Sequence, residues 1–208
     1  MLAEISVKEV EQCCANELKK AGYKTAGSVA FMRIDEMTHG WVGFNVSKHS
    51  EFVRVNPNIG IHCTPVMRCL DEIRGRKYQI GRLATYSVPL GTILPEERQI
   101  VITEPSEMNA EIRRMISYIE GDGEVYMRRL ADLTVLEQAL FRSVGQLGGY
   151  PEKYALTLLV SGKIREFHEF SAKQLALYQS NGDTEEAAEW TNFERQAEPC
   201  VRNALQSK

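Results

Sequence analysis

The sequence predicts an α+β fold with an N-terminal helix, an antiparallel β-sheet of about four to five strands, and a helical C-terminal half. Three observations lead there. Residues 7–21 place apolar side chains at helical spacing. Residues 29–90 hold short runs in which apolar and polar residues alternate, the period of a half-buried strand. From Ser106 the period becomes helical and stays so. Strands segregated from helices make an α+β chain rather than a doubly wound sheet. The 208 residues divide into 1–105, helix plus sheet, and 106–208, a helical region packed on that sheet within one compact domain.

The first helix opens at Ser6, which has the spacing of a capping box with Glu9. Val7, Val10, Cys14, Leu18 and Ala21 share one face, and Gly22 ends the helix in the left-handed region. Strands follow at 29–34, 41–46 and 51–55, and the pattern resumes at Ile59 and Ile61. The polar stretch Ser47-Lys48-His49-Ser50 reads as a hairpin tip, and Pro57, lacking an amide proton, marks an edge, bulge or strand end. Thr64 caps a helix with Pro65 in its first turn, running to Gly75. Another strand is expected at 84–90, and a short one at 99–103. The helical half has a stripe of Ile112, Met115, Ile116 and Ile119 that stops at Gly121-Asp122-Gly123. A second helical region covers 124–144. Pro151 opens a helix to Ser161, the next covers 163–179, and Asp183 or Thr184 caps the last. That last helix carries Trp190 as a core residue and is kinked or interrupted at Pro199.

Composition limits the function classes. Apolar residues make up 43 % and charged residues 25 %, with a net charge of −3, so a core is expected and no global basic field attracts nucleic acid or an anionic membrane. No apolar run is long enough to span a bilayer. The opening residues MLAEISVKEVEQ have neither the basic nor the apolar region of a signal peptide, and none is expected. Five cysteines, an odd number, fit reduced thiols and a cytoplasmic location.

Candidate chemistry is sparse. His62, Cys63 and Cys69 lie close in sequence, but no paired CxxC or HxxxH exists, so no metal is expected. His49 has Ser47, Ser50 and Glu51 near it, yet neighbours along a strand point to opposite faces, so Lys48 and His49 diverge and no triad is expected. The glycines of VGQLGGYP lie between helices and lack the Lys-Ser/Thr of a phosphate loop. The basic loop 74–82 holds Arg74, Arg76, Lys77 and Arg82 with Tyr78, enough for an anion contact or a stacked base. Glu185, Glu186 and Glu189 sit at the start of the last helix, where the macrodipole favours acid. The same charges suit a basic protein partner.

The segments ELKKAGYK and WVGFNVSKHSEFVRVNPNIGIH, with the Thr64-Pro65 helix after them, resemble a bacterial family of uncharacterised α+β proteins. The matching residues are Gly22, Tyr23 and Lys24, then Ser47, Lys48 and Ser50, then Asn58, Gly60 and Ile61, within the first ~90 residues. The family brings no catalytic residues. Size and layout are also similar to immunity proteins of bacterial toxin systems, including those of contact-dependent growth inhibition. With no catalytic constellation in view, that similarity leads to the expectation of a non-enzymatic protein that binds a toxin domain and needs no cofactor; the acid cluster and the hairpin tip, read from the residues themselves, offer Glu185, Glu186, Glu189, Lys48 and His49 as partner-binding residues. The rival expectation is a small-molecule enzyme or ligand-binding protein with a site near His49, His62 and the Arg74 to Arg82 loop. A third is association with nucleic acid, which the net charge disfavours.

Overall fold

A computed structural model describes residues 5–97, 99–146 and 149–206. It shows the α+β class that the sequence predicts, and the chain forms two compact units, residues 1–62 with 81–131, and residues 63–80 with 132–208.

The first unit opens with α1 (Val7–Lys20). The Ser6 hydroxyl accepts from the Glu9 amide at 3.2 Å while the Glu9 carboxylate accepts from the Ser6 amide at 3.0 Å. This satisfies two amides that a helix start leaves free. Ser6→Ala is expected to cost about 1 kcal/mol, read as a lower urea midpoint. Gly22, at φ +88°, reverses the chain into β1 (Lys24–Ala26), too short for an alternation to reveal in the sequence. β2 (Val29–Arg33) and β3 (Thr38–Gly43) form a hairpin in which Phe31 pairs with Trp41 and Ala30 with Val42.

The run 41–46, predicted as one strand, is broken. Asn45 takes φ +46°, which asparagine tolerates better than most residues. The chain leaves β3 there and enters β4 (Val46–Lys48) in a different sheet. β4 pairs with β5 (Val53–Val55), Ser47 opposite Arg54 and Lys48 opposite Val53. Ser47 and Lys48 are therefore strand residues, and the turn lies at 49–52, closed by the His49 amide donating to Phe52 O at 2.9 Å. β6 (Asn58–Cys63) returns to the first sheet and pairs with β7 (Tyr86–Pro89). β8 (Ile100–Ile102) adds to β5. The sheets run β1-β2-β3-β6-β7 and β4-β5-β8. A single wet face was expected, but Ile59, Gly60, Ile61, His62 and Cys63 are all buried, so β6 is covered on both sides.

A single turn, α3 (Leu90–Ile93), follows β7. α4 (Met108–Tyr118) buries Ile112, Met115 and Ile116. The glycines at 121 and 123 do not stop it: a π turn, Ile119–Gly123, carries the helix into α5 (Glu124–Leu130). A Cβ at Gly121 would meet nothing within 4 Å, so the glycine costs helix propensity without breaking the ladder.

The second unit is helical. α2 (Thr64–Ile73) starts one residue earlier than predicted, with Cys63 as its N-cap and no side-chain cap, because Thr64 is already helical. Gly75, at φ +64°, follows its end. The expected helical region 124–144 is interrupted at Asp132, whose carboxylate accepts from the Thr134 amide at 2.8 Å and starts α6 (Leu133–Ser143). Leu147 and Gly148 of the next loop lie outside the described residues. α7 (Pro151–Val160) has proline in its first turn. α8 (Ile164–Asn181) ends at left-handed Gly182. α9 (Thr184–Gln206) begins with the Ala187 amide donating to Asp183 O at 3.0 Å. It runs through Pro199 without interruption. Trp190 is buried, as predicted, and its indole N–H donates to Ser171 O at 3.1 Å.

Candidate functional site

The second unit contains a cleft of about 700 Å³ lined by the end of α2, the start of α7, Tyr178 of α8 and the first three turns of α9. Local rules put each residue there. Gly75 lets the chain turn back after α2, where the Arg76 amide donates to Asp71 O at 2.7 Å. That turn leaves Arg74 and Arg76 at the rim. Arg74 donates to the Glu152 carboxylate at 2.6 Å. Its guanidinium also lies 5.8 Å from the Tyr150 ring centroid, at cation–π range. Across the cleft, Glu186 and Glu189 project from α9 one turn apart, both exposed. Trp190 and Phe193, with ring centroids 4.9 Å apart, form the apolar floor.

Lys153 stands beside this cleft. Only 9 % exposed, it holds its ammonium 4.6 Å from the Tyr150 ring centroid. Burial first, and the Arg74 charge second, push its pKa down to about 8. Its place in the first turn of α7, at the positive end of the helix, is a poor one for a cation. The unfolded chain binds this proton up to about pH 10.5, whereas the folded chain releases it near 8. The ammonium therefore opposes folding below pH 8, and stability rises with pH between those values. Wild type is expected to gain up to roughly 3 kcal/mol between pH 7 and 10.5 relative to Lys153→Met, measured by urea unfolding at both pH values.

The residues predicted from the sequence are partly gathered. Glu186 and Glu189 line the cleft, and Glu185 is exposed on the same helical turn. Arg74 and Arg76 line it as well, while Arg82 falls in the first unit. Lys48 and His49 are also in the first unit, on the β4–β5 hairpin. Lys48 is exposed, and the His49 ring stacks on Phe52 at 4.5 Å. His62 is in the other sheet, buried, with Nδ1 2.7 Å from Leu83 O and its ring 6.3 Å from that of His39. His49 and His62 thus share no site. Burial holds the His39 pKa below its ordinary value. Tyr78 is not offered for stacking, because the Arg68 guanidinium covers its ring at 5.4 Å. Among the described residues, no group of three His, Cys, Asp or Glu side chains is placed to hold a metal ion, and no helix is long and apolar enough to cross a membrane.

Sequence reasoning missed Tyr150 and Lys153. The available signal was Pro-Glu-Lys at a helix start, a position where lysine runs against the dipole. No protein-family model matches the chain, and no curated protein or solved structure matches it either.

Proposed function

We propose that this chain works by binding another protein through the α2–α7–α9 cleft, and that in its most concrete form it is a bacterial immunity protein that neutralises a cognate toxin domain. The observation that supports this reading most is the pairing of two exposed carboxylates, Glu186 and Glu189, with an aromatic floor. A basic side chain from a partner fits that pairing. Its alkyl stem lies against Trp190 and Phe193, and its charge meets the carboxylates. Charges of this kind mainly speed encounter and select partners. The hairpin residues Lys48, exposed, and His49, half-buried, supply a separate contact in the first unit. Co-expression with the protein encoded immediately upstream tests the reading. A stable complex and relief of toxicity are expected. Absence of both sinks it.

A second reading, a ligand-binding protein or small-molecule enzyme, draws on one observation, the buried Lys153 with its lowered pKa beside Arg74. Lysines tuned in this way occur at reactive sites as well as in structural networks. In this reading Lys153 and Arg74 take a small anionic molecule, and Lys153→Met abolishes its binding. In the protein-binding reading that variant leaves partner affinity unchanged.

A further inference from the structure

We infer that Cys69 and Cys200 form an oxidation-driven disulfide that ties α2 to α9 at the closed end of the interface whose open end is the cleft. This inference does not depend on what occupies the cleft.

Three observations bring the two sulfurs to one place on the α2–α9 interface. Each thiol lies near enough to the other to shift its pKa. The Cys200 thiol also lies 3.5 Å from the Glu72 carboxylate, a contact that spans 128 positions of sequence. Cys69 and Glu72 are three residues apart, on one face of α2, so Cys200 reaches that face between them. Both cysteines are free in this structure and both are buried, Cys200 at 5 % exposure and Cys69 at none.

The same two helical stripes line the cleft. On α2, Cys69 is four residues before Ile73. On α9, Trp190, Phe193, Ala197 and Cys200 follow one another at helical spacing and are all buried. Ile73, Trp190 and Phe193 line the cleft. Ten residues of helix separate Trp190 from Cys200, about 15 Å. A bond at that distance along the stripe fixes the separation of the two walls without entering the cleft.

With a peroxide as oxidant, the chemistry balances. The Cys200 thiol gives its proton to the adjacent Glu72 carboxylate or to water. The resulting thiolate attacks the peroxide, giving a sulfenic acid and hydroxide. The Cys69 thiol then condenses with the sulfenic acid, forming the S–S bond and releasing water. In sum, two thiols and one hydrogen peroxide give one disulfide and two waters. Burial raises the pKa of both thiols, and the thiolate is the reacting form. The pair is therefore slow near neutrality and faster as pH rises. It is a staple formed under sustained oxidation rather than a rapid sensor.

The test treats the folded full chain with hydrogen peroxide at pH 7 and pH 9, blocks remaining thiols under denaturing conditions and maps the peptides by mass spectrometry. A Cys69–Cys200 linked peptide lighter by two hydrogens is expected, forming several-fold faster at pH 9. It should be absent in Cys200→Ser, with Cys69 recovered as a free thiol. Cys13, only partly buried, reports that oxidant was delivered. Oxidised Cys13 with Cys69 and Cys200 still free overturns the inference. So does Cys200 linked instead to Cys13, Cys14 or Cys63, or converted to a sulfinic acid.

Discussion

Gly60→Ala is expected to destabilise the first unit by about 3 kcal/mol, an unusually large effect for one methyl group. Gly60 is in β6 opposite Ser87 of β7. A Cβ there would stand 2.0 Å from Tyr86 O and 2.6 Å from Ser87 Cα. Both are backbone atoms of the neighbouring strand, so no flexible side chain can yield. The strands must separate, and Ile59 and Ile61, both fully buried, lose their packing with them. Urea unfolding measures the loss. Gly121→Ala is the control: it meets open space and should be neutral or stabilising by a few tenths of a kcal/mol. Equal midpoints for the two variants would contradict the register.

Trp190→Ala is expected to cost about 3–5 kcal/mol in the second unit. Its ring lies 6.0 Å from that of Phe170, 6.2 Å from Tyr178 and 4.9 Å from Phe193, joining α8 to α9. Its indole N–H satisfies Ser171 O. Truncation opens a cavity and removes that hydrogen bond. Trp190→Phe keeps most of the contact area and loses the hydrogen bond, for a loss nearer 1–2 kcal/mol. The same ring floors the cleft, so the two variants separate effects: Trp190→Phe should fold and retain a binding floor, whereas Trp190→Ala should lose both. Thermal unfolding followed by circular dichroism reads the difference.

Local signals in the sequence were read correctly where local chemistry decides the structure. Ser6 and Glu9 form their capping box. Gly22 takes positive φ just after the end of α1, as expected. Where tertiary packing decides, the sequence misleads. Alternation predicts a wet face for β6, but cover on both sides removes it. An unbroken strand over 41–46 looks sound until Asn45 turns into the left-handed region and redirects the chain to a second sheet. Gly121 and Gly123 look like a stop, yet a π turn spans them. For the cleft, the acidic start of α9 and the arginines after α2 were visible as separate clusters. Their convergence was not, because it depends on helices distant in sequence packing together. The Cys69–Cys200 proximity is hidden for the same reason.

In the proposed function, Glu186 and Glu189 form the recognition surface of a protein-binding cleft. Surface plasmon resonance at low and high salt compares the affinity of the proposed partner, the protein encoded immediately upstream, for wild type and for Glu186→Lys/Glu189→Lys. Both residues are exposed at the start of a long helix, so the double variant should fold, with an unfolding midpoint lowered only by the lost helix-dipole charge, about 0.3–1 kcal/mol per residue. The double variant is expected to bind at least tenfold more weakly, about 1.4 kcal/mol, with most of the loss in the association rate and reduced by salt. A folded double variant that binds this partner as tightly and as fast as wild type would contradict the proposed function.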